Sequence, residues 1–491
     1  MHVLGIDLGT SALKAVLVDA GQTIVARATV PLQTLHPRRG WSEQRPGDWR
    51  NALDLAVAEL RSARPDGFRD VRALGLSGQM HGAVLVDRAG QAIRPAILWN
   101  DGRAVAECAV LMESVPDLAR IVGIIAMPGF TAPKLLWLAR HEPEAVSATW
   151  KVLPPKDFLR LALTGDALTE MSDAAGTLWL DQGRRDWSDA VLAASGLDRD
   201  RMPALVEGSD RAGELRAEIC AAWGIAGPVV VAGGAGDAAA AAIGIGAVEN
   251  GDAFVSLGTS AQYFVADDQY RPQPATLLHA FAHALPRRWF RMAAMLNGAS
   301  VLEWVARLIG APDIGPLLDE VAARGRRPSE VLFLPYLSGE RTPHNDPNAR
   351  GVFFGLDPST GRLDLVQAAL EGVAFTLLEA QRALDAASAR PERVAAVGGG
   401  ARSRYWLQIV ADCLGRPVIR YATGENGPAF GAARLARLAL TGETVGEVCG
   451  TPAILDVLQP RSALNAAYAE RLDSFRSLYR ALKPEFQREP R

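Results

Sequence analysis

The sequence predicts a mixed α/β protein whose two similarly built halves face one cleft. Three observations carry that prediction. The chain has 491 residues, 49% apolar and 22% charged, the composition of an ordinary globular protein with room for more than one core. A strand, a Gly-Thr-Ser turn and a second strand occur twice, around DLGTS at 7–11 and SLGTS at 256–260, about half the chain apart. Apolar strands also run into glycine-rich turns that open helices, at Gly233–Asp237 and at Gly398–Gly400. The boundary is expected within IGIGAVENGD (243–252), giving halves 1–246 and 247–491. No low-complexity linker separates them, so a shared cleft is expected.

Taken in order, VLGIDLG reads as an apolar strand ending at Asp7, LKAVLVD and TIVARATV alternate as strands, and Ala20-Gly21 turns the chain between them. A helix is expected over Asp48–Ala63, with Asp48 as its N-cap and Leu53, Val57 and Leu60 on its apolar face. The strand VRALGLS, the loop GQMHG (78–82) and the strand AVLVD follow. Further helices are expected around Pro133–His141, Pro155–Leu163 (closed by Gly165) and Asp189–Ala194 (closed by Gly196). PVVVAG is a strand entering the Gly-rich turn, and an Ala-rich helix begins near Asp237. In the second half AFVSLGTSAQYFVAD repeats the strand–turn–strand unit, and ERVAAVGGG leads through a strand and three glycines into an amphipathic helix.

Charge and cysteine usage exclude several classes. A formal net charge of -3 gives no broad electrostatic grip on nucleic acid or on an anionic membrane, so a polyanion must be held locally, by backbone amides and a metal. Cys108, Cys220, Cys413 and Cys449 lie far apart with no C-x-x-C pair, which argues against a disulfide scaffold or zinc ribbon and for a reducing, cytoplasmic setting. MHVLGIDLGTS lacks the pattern of a secretory signal. PVVVAGGAGDAAAAAIGIGAV is apolar but carries Asp237 in its middle, which disfavours a membrane span. Only five of the 52 basic residues are lysine, at 14, 134, 151, 156 and 483, so a lysine here marks a place where arginine would not serve.

Several motifs carry chemistry, each with a plainer reading beside it. Asp7 ends a buried-looking strand before Gly9, Thr10 and Ser11. It either bonds the turn backbone or orients Mg2+ beside a nucleotide's phosphates, with the turn approaching the phosphate oxygens. No Walker lysine pattern is present, so the site is not a P-loop. Gly258-Thr259-Ser260 alone is a hairpin turn; paired with the first copy it suggests two hairpins pinching phosphates. Gly398-Gly399-Gly400 is either a tight strand-to-helix turn or a close backbone approach at a helix N-terminus. Asp237 either stabilises its helix or, with glycines leaving room before it and the helix terminus keeping it ionised, takes a proton from an alcohol. Met80 and His81 sit in a glycine-flanked loop with Gln79 nearby, suited to sugar hydroxyls. Trp99 adds an aromatic face, and Asp101 is a sugar ligand or a cap for the helix expected at 103–114. HAFAH (279–283) is not an H-E-x-x-H zinc site.

Together these segments resemble the FGGY-type carbohydrate kinases over essentially the whole chain. GFTAPKLLWLARH (129–141), with Lys134 and Trp137, resembles the family's first signature, and GVFFGLDPSTGRLDLVQAALE (351–371) its second. GIDLGTS, SGQMHG, PAILWNDGR, MSDAAGTLWLD, SLGTS and LPYLSGERTPHNDP are most similar to the members acting on D-xylulose. The resemblance implies two actin-like (ribonuclease H-like) domains around a central cleft, with sugar on the N-terminal side and ATP opposite. It implies Asp237 as catalytic base, Asp7 as the acid near Mg2+, and Met80, His81, Trp99 and Asp101 near the sugar. Thr10, Ser11, Gly258, Thr259, Gly399, Gly400, Ala401 and Arg404 fall in ATP-contacting segments. ATP and Mg2+ are therefore the expected co-substrate and metal, transfer to O5 of D-xylulose the expected reaction, and a homodimer is admitted without being fixed. Two departures stand out: Ala238 and Arg404 occupy places where relatives often carry Asn, or at 238 also Gln. The Met-His pair differs from the Arg-Glu of glycerol kinases, which argues against glycerol. Three readings compete: a kinase for another ketose or polyol such as ribulose, an actin- or chaperone-like ATPase, and a sugar sensor without catalysis.

Overall fold

The computed structural model describes residues 1–311, 313–325, 327–387, 389–422 and 427–487. The first half contributes β1 (His2–Leu8), β2 (Ala12–Asp19), β3 (Ile24–Pro31), α1 (Pro46–Ala63), β4 (Val71–Gly78), α2 (Thr131–His141), α3 (Pro155–Thr164), β5 (Arg211–Glu214), β6 (Val230–Ala232) and α4 (Asp237–Ile245). The second contributes β7 (Ala253–Leu257), β8 (Ala261–Asp267), β9 (His279–Ala282), β10 (Trp289–Met295), α5 (Arg362–Ala386), β11 (Val394–Val397), α6 (Arg404–Leu414), β12 (Val418–Tyr421), α7 (Pro428–Thr441), β13 (Ile454–Leu458) and α8 (Ser462–Phe486).

The two main sheets share one topology. In the first the order is β3-β2-β1-β4-β6-β5, with β1, β2 and β3 antiparallel and β1, β4 and β6 parallel. In the second, β10-β8-β7-β11-β12-β13 repeats it: β7, β8 and β10 are antiparallel, β7, β11 and β12 parallel, and an antiparallel strand closes the edge as β5 does. Strand β9 adds one more beyond β10. This duplication is the actin-like arrangement that the resemblance implies.

Period-two alternation sets what each sheet buries. On β1, Leu4, Ile6 and Leu8 face a core shared with α1 and α3, whereas Val3, Gly5 and Asp7 face the other way. On β7, Val255 and Leu257 join a core with α5, α6 and α8, while Phe254 and Ser256 face inward. Helices α4 and α7 pack on each other between the sheets. Helix α7, from the second half, lies directly on the first sheet. A Cβ on Gly5 would fall 2.0 Å from the Ala429 carbonyl oxygen, and one on Gly75 would fall 1.9 Å from that of Ala432. Only glycine allows so close an approach of helix to strand.

The helices begin and end close to where the periodicity puts them. The first runs Pro46–Ala63 with Arg45 at the N-cap, so Asp48 sits in the first turn rather than capping it. Pro at the first helical position explains the earlier start, since its missing N–H is one that the first turn leaves unpaired anyway. Gly165 ends α3 with φ 91°, the left-handed geometry expected of a closing glycine. The segment 279–282 is a strand, and among the described residues no group of three His, Cys, Asp or Glu is placed to hold a metal ion. No described helix is long and apolar enough to cross a membrane, and all four cysteines are free.

Candidate active site

A cleft of about 1050 Å³ opens between the halves. Its first wall carries two carboxylates. Asp7, at the inward-facing end of β1, accepts a hydrogen bond from the Ser77 hydroxyl at 3.3 Å, and burial lifts its carboxyl to about 6 against the pull of Lys14 and Ser77. Asp237, the first residue of α4, accepts from the Ala238 N–H at 2.7 Å. Burial, reinforced by the negative charge of Asp7, lifts it to about 7. Contrary to what its position in the sequence suggests, the helix terminus does not keep Asp237 readily ionised; desolvation dominates, and the group is poised near neutrality instead.

Among the described residues, the opposite wall contributes no carboxylate side chain to the cleft lining. Ser256, Gly258 and Ser260 line it with Gly398, Gly399 and Ala401. Gly399 has open space about it, but Gly400 does not: a Cβ there would sit 2.4 Å from the Trp406 ring. Gly400 is therefore glycine for packing. Thr259 is exposed at its hairpin tip, where its carbonyl accepts from Gly298 N–H and Ser300 Oγ. Arg404 projects outward and pairs with Asp456 at 2.6 Å, so the structure does not bring it to the cleft. Lys14, Arg27, Arg402 and Arg420 line the cleft instead, a local positive field that the near-neutral composition conceals.

On the first hairpin, the Thr10 hydroxyl donates to Gln79 Oε1 at 3.1 Å and accepts from Trp99 Nε1 at 2.9 Å. Thr10 is thereby tied to the sugar-side loops, and Ser11 stands exposed at the tip. Gln79 is buried in this network, donating in turn to Gln44.

Met80 and His81 lie immediately beneath the start of α4. Met80 packs on Gly236, where an added Cβ would meet its sulfur at 2.8 Å. His81 adopts φ 70°, a left-handed geometry costly for a side chain of its size. It is held there by Lys134 Nζ and Thr131 Oγ1, which both donate to its carbonyl, at 2.9 and 3.1 Å. Its Nδ1 lies 2.8 Å from the Gly176 carbonyl, an acceptor, so Nδ1 carries the hydrogen and Nε2 is left as an acceptor. Burial keeps the ring neutral. Asp101, by contrast, has both oxygens occupied, by the Ser42 N–H and by Arg103. It orients its loop and has no free oxygen to offer.

The glycines before Asp237 are packed rather than roomy. A Cβ at Gly233 or Gly234 would strike the Glu207 or Leu76 carbonyl oxygen at 2.1 Å. Below them lies a fully buried set of charges that sequence reasoning did not assemble: Lys156, Asp157, Arg160, Glu170 and Asp173. Lys156 Nζ meets Asp157 at 2.8 Å and Asp173 at 3.5 Å. Arg160 donates to the carbonyls of Ala232 and Gly233, and Ser172 Oγ accepts from the Gly236 N–H at 3.0 Å. The turn delivering Asp237 is thus bolted from beneath. The scarcity of lysine was the available signal: Lys14 lines the cleft, and Lys134 and Lys156 are fully buried around it.

Known proteins are similar to this chain over nearly its whole length. Residues 2–244 match the model of the N-terminal domain of the FGGY family of carbohydrate kinases, and residues 253–440 that of its C-terminal domain. The xylulose kinase of Escherichia coli (strain K12) is 47% identical over 98% of this chain and 99% of its own. A crystal structure of a xyloylose kinase from Brucella ovis superposes with a TM-score of 0.95 at 48% identity, covering 99% of this chain and all of the other. A xylulose kinase from Rhodospirillum rubrum gives 0.90 at 29% identity, over 99% of this chain and all of the other.

Proposed function

The chain belongs to the FGGY family of carbohydrate kinases, and from that premise we propose that it transfers the γ-phosphoryl group of ATP to O5 of D-xylulose, with Asp237 accepting the hydroxyl proton. One observation carries the reading: Asp237 stands in the cleft, held near pKa 7, with the Met80–His81 loop packed beneath it and a wall of glycine and serine backbone across from it.

In the reaction the sugar oxygen bonds to the γ-phosphorus, the bond between that phosphorus and its bridging oxygen breaks, and ADP leaves. The transition state is loose and spreads negative charge over oxygens, so catalysis is mostly positioning and charge neutralisation. Asp237 need take the proton only late, and a base near neutrality is matched to that task. His81 Nε2 accepts a hydrogen bond from a sugar hydroxyl, and Trp99, tethered by Thr10, offers its face to the carbon chain. Across the cleft the backbone of Gly258 and Gly399 approaches the phosphates, and Lys14 and Arg420 add positive charge.

Mg2+ belongs to the same proposal. Asp7 fits it: one oxygen receives a single long bond from Ser77, leaving the other open to the cleft beside Lys14. Mg2+ characteristically takes one or two protein carboxylates with waters and substrate phosphates, and Asp7 would hold it in that way. When bound, it neutralises phosphate charge.

The test is an ADP-release assay on a panel of pentuloses and polyols, with D-xylulose, L-xylulose, D-ribulose, xylitol and D-arabinitol. D-xylulose is expected to give the highest kcat/KM. ADP release indifferent to sugar, or a faster alternative acceptor, overturns the reading.

A further inference from the structure

Phosphorylation at O5 has a chemical consequence for recognition. In the furanose form of a 2-ketopentose O5 is the ring oxygen and has no hydroxyl to react. The reactive substrate is therefore the open chain, whose C2 is a bare ketone. A ketone oxygen only accepts hydrogen bonds, so selective binding of that form calls for a donor without acceptor character. Among the residues assigned above, Asp237 and His81 Nε2 are acceptors, and the Thr10, Gln79 and Asp101 side chains are committed to protein partners.

Arg341 supplies what is missing, and it comes from the other half. It lies half-buried in the loop LPYLSGERTPHNDP, with its guanidinium carbon 5.5 Å from the centroid of the Trp99 ring. A Cβ placed on Gly129 would fall 3.3 Å from its Nη2. Its positive charge acts on His81, Lys134 and His279, which places it among the loops that surround the sugar side. Among the described residues its side chain makes one hydrogen bond, a long one of 3.5 Å to the Trp99 carbonyl, and forms no ion pair, although the charge of Glu340 acts on it from a distance. The adjacent Glu340 spends its oxygens on the Leu296 and Arg341 backbone N–H groups and on the Asn297 amide. Other desolvated cations in this interior are satisfied: Arg103 by Asp101 and Glu43, Lys156 by Asp157, and Lys134 by the carbonyls of His81, Ile97 and Gly129. An arginine presents five N–H donors and no acceptor, and a desolvated one left without a counter-ion is costly unless a ligand completes it.

The loop is also built to hold this side chain still. Glu340 pins its backbone, His344 stacks on Tyr479 of α8 with ring centroids 3.7 Å apart, and Tyr479 donates to Asp346 at 2.8 Å. We propose that Arg341 is a substrate-binding residue that donates to the C2 carbonyl of the open-chain ketose over the face of Trp99, so that the second half reads the ketone while the first reads the hydroxyls. This rests on the reaction proposed above.

Wild type, Arg341→Lys and Arg341→Met are assayed with D-xylulose and with xylitol, the same carbon chain with C2 reduced, measured as acceptor or as competitive inhibitor. Arg341→Met is expected to raise KM for D-xylulose roughly 10- to 100-fold, the span for losing a hydrogen bond to a charged group. KM for ATP and the melting temperature stay unchanged, and the preference for D-xylulose over xylitol falls with the D-xylulose loss, since xylitol has no ketone to lose. Arg341→Lys keeps the charge without the planar fork and recovers part of the preference. Equal losses on ketose and polyol, in either variant, overturn the inference and leave Arg341 as a brace between the halves; an unchanged KM for D-xylulose overturns it too. Wild type that does not phosphorylate D-xylulose is a different failure, of the proposed function itself, and removes the inference with it.

Discussion

The two hairpins facing the cleft share a sequence, a strand pairing and an inward-facing position, yet one ends in a carboxylate and the other in a hydroxyl. Asp7 on β1 and Ser256 on β7 occupy equivalent places before Leu-Gly-Thr-Ser, on the inward side of their sheets. Duplication supplied the same scaffold twice, and one side-chain difference divides the labour. In the first copy the charge of Asp7 reaches Asp237 and raises its carboxyl, so that acidity gathers on this side of the cleft. The second presents a hydroxyl and glycine backbone, with Arg402 and Arg420 among the described residues that line the cleft on its side.

The largest effect comes from emptying the acidic side. Asp237→Ala is expected to lower kcat by about a thousandfold or more, within the range for general bases, while calorimetry still detects sugar binding. Lost sugar binding with retained turnover would reverse the assignment. Making the hairpins alike is expected to be next in size. Ser256→Asp puts a like charge against the phosphates and is expected to raise KM for ATP by roughly a hundredfold with KM for D-xylulose little changed; equal effects on both would remove the second hairpin from nucleotide binding. His81→Ala acts on the sugar alone, raising its KM by about tenfold with that of ATP unaffected. A matched rise for ATP would take His81 out of the sugar pocket.

The smallest effect is in pH. A base works only when ionised, and the Asp237 carboxyl is raised to about 7, so it gains its proton as pH falls through that value. The kcat/KM for D-xylulose is therefore expected to fall on the acid side of neutrality, standing at about half its plateau at the midpoint. A profile flat down to pH 5 would show that Asp237 does not carry the proton.

Much of this was legible in the chain before folding. Local chemistry announces itself: DLGTS and SLGTS fix hairpins because a Gly-Thr-Ser turn closes strands of opposite alternation, and GGAGD and GGGAR mark strand-to-helix turns. What escaped was whatever depends on contact across long sequence distance. Gly233, Gly234 and Gly400 look like freedom in a string of letters and prove to be close contacts, because the neighbours that demand glycine are Glu207, Leu76 and Trp406. Asp101 looks like a ligand until Ser42 and Arg103 occupy it. Arg404 looks like a cleft residue until Asp456 claims it. Lys156 joins Asp157 beside it and Asp173 further on only when helix and turn are folded together.

The seating of α7 on the first sheet bears on how the polypeptide is made. During synthesis β1 and β4 leave the ribosome long before residue 428 exists, and their glycine-lined inner surface then has nothing to rest on. Gly5 and Gly75 cannot be given larger side chains to shield it, since the arriving helix needs that space. The nascent amino-terminal portion must wait, partly uncovered, until residues 428–441 have been made, and a stop codon before α7 would strand it there.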